Sequence, residues 1–216
     1  MARISAPACP RPRSARDALA ARLSLVGPPL LPELALYRAG PQSGLARRGG
    51  RPPYWAYFWG GGLALARFVL DHPETVAGQS VVDLGAGSGL VAISAMKAGA
   101  AEALAIDVDP DALGVIALNA AANAVAVAAV AADPLDGPPP AADLVLVGDL
   151  FYGPALATRA TAFLDRCVAA GLGVLVGDPW RAHLPLARLM RLAEYRLADF
   201  GDGPGAATAA AVFAFV

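Results

Sequence analysis

The sequence predicts an α/β fold, doubly wound around a mostly parallel sheet, and three observations predict it. From Ser80 onward, apolar runs of about four to six residues alternate with helical stretches of about ten to fifteen. Strands covered by helices on both faces read as unbroken apolar runs, because neither face meets water. A glycine-rich turn, "DLGAGSG" (Asp83–Gly89), follows the first of these runs. The chain also closes on two apolar segments around the short turn "GDGPGA", which reads as a hairpin and adds an antiparallel member.

The elements follow in order. Residues 1–17 hold Arg3, Arg11, Arg13 and Arg16 with no acid before Asp17, a composition like that of an organellar transit peptide. Pro7, Pro10 and Pro12 would break an amphipathic helix, so a disordered basic leader is expected instead. The remaining residues, 18–216, read as one domain with an N-terminal extension over 18–60. A helix is expected over Ser14–Leu25, with Ser14 as cap, followed by a proline-set extended segment, "VGPPLLPELALYRAG". An aromatic cluster and three glycines then lead into a helix from about Gly62 to Asp71.

In the alternating part, strands are expected at Val81–Leu84, Ala103–Ile106, Val125–Val130, Leu144–Val147 and Leu172–Val176. Helices are expected at Leu90–Ala98, Pro110–Ala122, Pro154–Ala170 and Leu184–Leu192. Proline at the first turn of the second of these suits a position whose N–H has no helical partner. Tyr195–Phe200 and Thr208–Val216 are the closing strands.

Composition narrows the function classes. The chain has 216 residues, 56% hydrophobic and 16% charged, which supplies a sizeable core. Its formal charge of −1 gives no general basic footprint for nucleic acid. No segment reads as a membrane span. Cys9 and Cys167 are far apart, as are His72 and His183, so no metal-ligand spacing exists and a reduced, cytoplasmic compartment is expected.

A glycine turn between strand and helix lets backbone approach a ligand closely and aims helix N–H groups at it. Gly85 and Gly87 fit the dinucleotide fingerprint, but its third position falls on Leu90 and the third glycine is Gly89. No Gly-Lys-Ser/Thr is present for a P-loop. Asp83 would repel phosphates and suits a cationic ligand. S-adenosylmethionine, with an ammonium, a sulfonium and no phosphate, is such a ligand. Asp107, at the end of the next strand, stands where a ribose-binding acid belongs. Asp133, after the third strand, could meet the adenine amino group. A turn that merely connects strand to helix is the plain alternative, and three acids at three strand ends weigh against it.

At the fourth strand end, "GDLFYG" offers an acid and, three residues on, an aromatic. The Asp/Asn-Pro-Pro-Tyr/Phe signature of enzymes acting on planar exocyclic nitrogens is absent. An acid with an aromatic suits a flexible amine: Asp149 could orient it and the Tyr152 ring could stack on it. The bland reading makes Asp149 a helix cap and Tyr152 packing. Tyr54, Trp55, Tyr57 and Phe58 read as packing, whereas Trp59, next to Gly60–Gly62, could lie against the cofactor.

These segments together resemble a known family. "PPYWAYFWGGGLALARFVLD", "VVDLGAGSGLVAISAMKAGA", "AIDVDPDALGVIALNAAAN", "DLVLVGDLFY" and "VLVGDPWRAHLP" are similar to the electron transfer flavoprotein β-subunit lysine methyltransferase group of the family-16 seven-β-strand methyltransferases. "LPELALYRA" (Leu31–Ala39) resembles a further segment of that group, and the similarity runs from about Val26 to the C-terminus. The resemblance implies a Rossmann-like seven-stranded methyltransferase fold and a monomeric, S-adenosylmethionine-dependent protein-lysine N-methyltransferase. It implies a protein partner, a lysine-bearing loop of the flavoprotein β subunit. Trp59, Asp83, Gly85, Gly87, Gly89 and Asp107 carry over toward the cofactor, and Asp149 and Tyr152 toward catalysis. Gly60 stands where relatives commonly have Pro, and Trp180 where they often have Gly.

The alternative is a small-molecule N-methyltransferase of the nicotinamide or amine type. That enzyme would need an N-terminal lid over its acceptor, whereas a protein substrate needs an open mouth. Arg47, Arg48 and Arg51 form a short basic segment that suits a rim meeting an acidic partner, or simply a solvated loop.

Overall fold

The computed structural model describes residues 15–40, 43–45, 53–197 and 208–216. Most of the expected basic leader, the Arg47–Arg51 rim and the "GDGPGA" turn lie outside the described residues.

The alternation from Ser80 onward folds into a seven-stranded sheet. Its members are β3 (Ser80–Leu84), β4 (Glu102–Asp107), β5 (Ala128–Ala131), β6 (Leu144–Gly148), β7 (Gly173–Asp178), β8 (Leu189–Leu197) and β9 (Thr208–Phe215). The order across the sheet is β5-β4-β3-β6-β7-β9-β8. Only β9 runs against its neighbours, pairing antiparallel with both β7 and β8. This is the expected architecture.

Helices α2 (Gly60–Asp71), α3 (Leu90–Lys97) and α4 (Pro110–Ala122) cover one face, and α5 (Pro154–Ala169) covers the other. Central strand β6 shows why its sequence is apolar without a break. Leu144 and Leu146 join the core beneath α2–α4, while Val145 and Val147 join the core beneath α5. Helix α2 crosses β7 so closely that a Cβ on Gly61 would lie 2.2 Å from the Gly177 carbonyl oxygen, and one on Gly177 would meet Gly61 equally. Only a glycine pair permits that crossing.

Three elements differ from the sequence expectation. Leu184–Leu192 is no helix: a single 3₁₀ turn at Leu186–Arg188 leads into β8, which pairs with β9 from Leu189↔Phe215 to Leu197↔Thr208. Leu, Ala and Arg favour helix locally, but pairing with the buried β9 strand overrides that preference. Strand β5 begins at Ala128 rather than Val125, because Ala124 turns left-handed (φ 55°) and the Val125 N–H closes the end of α4 on the Ala120 carbonyl.

The expected helix over Ser14–Leu25 is α1 (Ala15–Ala20) followed by strand β1 (Leu23–Val26). Strand β1 pairs antiparallel with β2 (Leu36–Ala39), the end of the proline-set segment. This small sheet is fastened to α4 by two asparagines. Asn119 accepts from the Tyr37 N–H at 2.7 Å, and Asn123 both accepts from and donates to Ala35.

Candidate active site

The C-terminal ends of β3, β4 and β6 open onto one cavity of about 1350 Å³. Asp83, Gly85, Gly87, Asp107, Asp133, Asp149, Tyr152 and Trp59 all line it, so eight of the nine residues singled out from sequence border one space. Gly89 stands one step back. As the left-handed cap of α3 (φ 77°), it packs so close to Ile116 that a Cβ would meet two of its carbons at 3.2 Å.

The turn is held from both sides by carboxylates. Asp83 is buried and accepts from the Ala92 N–H in the first turn of α3 at 2.9 Å. Burial pushes its pKa up to about 7, with the Asp107 charge adding to the rise and only that N–H opposing it. Asp107 accepts from the Gly87 N–H at 2.7 Å and from the Asp109 N–H at 2.9 Å, and burial raises its pKa. Asn119 adds a third hold by donating to the Ser88 carbonyl at 2.8 Å. One buried amide thus spans the glycine turn and the N-terminal hairpin.

Asp133 sits on the rim. It forms an ion pair with Arg159 at 2.9 Å and accepts from the Leu135 N–H. Arg159 also holds Asp136, at 2.6 Å.

Asp149 is reached through a left-handed turn (φ 58°) just past β6. One carboxylate oxygen accepts from the Gly62 N–H at 2.5 Å, at the start of α2. The other pairs with the guanidinium of Arg181. Burial pushes the Asp149 pKa up to about 6, against the lowering pull of Arg181 and the α2 N–H groups. The bland reading of Asp149 as a helix cap holds in part: Gly153 caps α5, but the Asp149 carboxylate caps the first turn of α2. Tyr152 is 63% exposed, and its ring stacks on Tyr54 with centroids 6.2 Å apart. Trp59 donates its indole N–H to the Tyr54 carbonyl and tilts against the Tyr54 ring, which makes an aromatic wall at the mouth.

Three contributors escape a reading of the sequence. Arg181 follows β7, far along the chain from Asp149, and no local pattern marks the pair. Trp55, read as packing, donates its indole N–H to Asp109 at 3.0 Å and ties the aromatic segment to the start of α4. Asp109 in turn caps α4, accepting from the Asp111 N–H. Asn119 had no signal beyond a polar residue on an apolar helix.

The donor set fits a cationic nucleoside better than a phosphate. Carboxylates flank the turn, one of them buried with an unmet charge, and no basic residue lies in the first turn of α3. Among the described residues no group of His, Cys, Asp and Glu is arranged to hold a metal ion, and no helix is long and apolar enough to cross a membrane.

Comparison with known proteins agrees in direction. The family model for ribosomal protein L11 methyltransferase (PrmA) matches residues 65–149. The electron transfer flavoprotein beta subunit lysine methyltransferase of Rattus norvegicus is 42% identical over 153 residues, covering 68% of this chain and 60% of the rat protein. The Xenopus laevis protein of the same name is 39% identical over 184 residues, covering 79% of this chain and 74% of its own. This chain therefore spans about 60% of the rat relative's length and more of the frog's. Among solved structures, the T. thermophilus 16S rRNA methyltransferase RsmC, in complex with AdoMet and guanosine, superposes with a TM-score of 0.56 at 19% identity. That match covers 84% of this chain and 47% of RsmC, and it speaks for the fold alone.

Proposed function

The chain belongs to the electron transfer flavoprotein beta subunit lysine methyltransferase family, and on that premise we propose that it is an S-adenosylmethionine-dependent protein-lysine N-methyltransferase acting on that β subunit. The observation that carries the reading is the single cavity bordered by Asp83, Asp107 and Asp149 at three strand ends. The first two stand beside a glycine turn and the third stands apart beneath an aromatic wall.

In this reading S-adenosylmethionine supplies a methyl group on a sulfonium, already activated for displacement. The protein's part is to bind, to orient and to keep water out. Asp83 and Asp107 hold the glycine turn open to the cofactor and favour its positive charge. Asp107 serves the ribose with its remaining lone pairs. Asp133 serves the adenine amino group from the rim, sharing its carboxylate with Arg159. Trp59 lies against the cofactor as part of the wall. Asp149 accepts an N–H of the incoming lysine and points its lone pair at the methyl carbon. A lysine amine, with a pKa of about 10.4 in water, must reach this position unprotonated. Tyr152 packs on the aliphatic stem of that lysine. The chain acts as a monomer in the cytoplasm, and its partner is a protein rather than a nucleic acid.

The test is radiolabelled methyl transfer from S-adenosylmethionine to the purified flavoprotein β subunit, with nicotinamide and simple amines as competing acceptors. Label in the protein, mapped to a lysine by mass spectrometry, is the expected result. Label moving only into the small-molecule fraction would replace this reading with the amine methyltransferase.

A further inference from the structure

The loop after β7 carries a charge into the acceptor side of the cavity. The Arg181 guanidinium pairs with Asp149, and the same nitrogen lies 3.4 Å from Asp178. The Arg181 backbone N–H also donates to Asp178, at 2.7 Å. The Asp178 side chain is fully buried, Asp149 is 10% exposed and Arg181 20%. Between them lies Trp180, held left-handed (φ 62°) with its ring edge-on to Phe213 at 5.1 Å. The arginine is therefore fixed by its neighbours on both sides.

Resting on the methyl-transfer reading above, we infer that Arg181 is a positioning residue that keeps the Asp149 carboxylate ionised and in place for the acceptor amine. The charged groups facing Asp149 among the described residues are Arg181 and, through it, Asp178, while α2 contributes only the N–H groups of Gly61 and Gly62. One guanidinium thus serves two buried carboxylates. Without it, the buried Asp149 carboxylate loses the guanidinium that opposes its desolvation, and it holds a proton at neutral pH. A protonated Asp149 would donate its O–H to the amine nitrogen and occupy the lone pair needed for attack. Burial already raises the Asp149 pKa, and Arg181 is the largest influence opposing that rise.

The experiment is the pH profile of kcat/KM for methyl transfer, measured on the unaltered chain, Arg181→Met and Arg181→Lys. The acid limb of Arg181→Met is expected about two pH units higher, with activity at pH 7 down about tenfold and recovering toward pH 9. Arg181→Lys is expected to restore the limb. If Arg181→Met fails to fold, Arg181→Gln, which keeps N–H donors without the charge, is expected to give the same shift. A uniform loss at every pH with the limb unmoved would overturn the inference and leave the methyltransferase reading standing. Absence of transfer by the unaltered chain at every pH would overturn both.

Discussion

The two sides of the cleft are built in opposite ways. On the proposed cofactor side, polar side chains hold backbone: Asp83 binds the start of α3, Asp107 binds Gly87, and Asn119 binds Ser88. Every one of these partners is a main-chain group within or beside one strand–turn–helix unit. On the proposed acceptor side, Asp149 also accepts from the Gly62 N–H, but the other holds join side chain to side chain. Arg181 meets Asp149 across 32 residues of sequence, Tyr54 meets Tyr152, and Trp180 meets Phe213. The difference lies in what is held rather than in sequence distance, since Asn119 already reaches Ser88 across 31 residues. The proposed cofactor side is held through backbone, whereas the proposed acceptor side is held where side chains of separate loops converge.

The sharpest way to break that division is Asp149→Asn, which removes the carboxylate and keeps its shape. Methyl transfer is expected to fall about 100-fold or more, as misplacement at a reacting centre does. Cofactor affinity, read by calorimetric titration, is expected to change by less than about threefold. Loss of cofactor binding as well would merge the two sides and sink the separation.

Asn119→Ala is the mirror experiment. It leaves the Ser88 carbonyl and the Tyr37 N–H without their buried partner, a loss worth about 1–3 kcal/mol. Cofactor affinity is expected to drop about tenfold, with kcat at saturating cofactor nearly retained. An unchanged dissociation constant would show that the N-terminal hairpin does not brace the glycine turn.

A smaller effect follows from Asp83. Its folded pKa of about 7 lies above the ordinary value of 3.8, so the folded state binds the extra proton. The stability tied to this proton is fully present below pH 3.8 and is lost as pH rises through about 7. Thermal melts of Asp83→Asn are expected to fall less between those limits than melts of the unaltered chain, and parallel curves would remove Asp83 as the cause. Smallest of all is Tyr152→Phe. The ring stack on Tyr54 survives without the hydroxyl, so KM and kcat are expected to stay within about threefold. A loss above tenfold would give the hydroxyl a direct part in holding the amine.

Much of this was legible in the sequence, and the reason is locality. The apolar runs of β3, β4 and β6 signalled burial on both faces, and Pro110 marked the first turn of α4. Asp83, Gly85, Gly87 and Gly89 lie within seven residues, so one turn brings them together. The strands that were missed depend on pairing with the next strand along the chain, which a segment's own propensities do not report. Leu189–Leu192 has helical composition and extends the strand expected from Tyr195 because β9 offers it a ladder. Leu23–Val26 becomes a strand because Leu36–Ala39 lies beside it.

By itself, then, the sequence determined the sheet, the cofactor turn and the acids at the strand ends, since periodicity and backbone geometry act over a few residues. Only the tertiary structure decided what each acid touches. The Gly61–Gly177 crossing brings the first turn of α2 within reach of Asp149, and the β7 loop sets Arg181 against it. Burial and charge depend on everything packed around a group, so the state of the Asp149 carboxylate was settled by folding rather than by any motif.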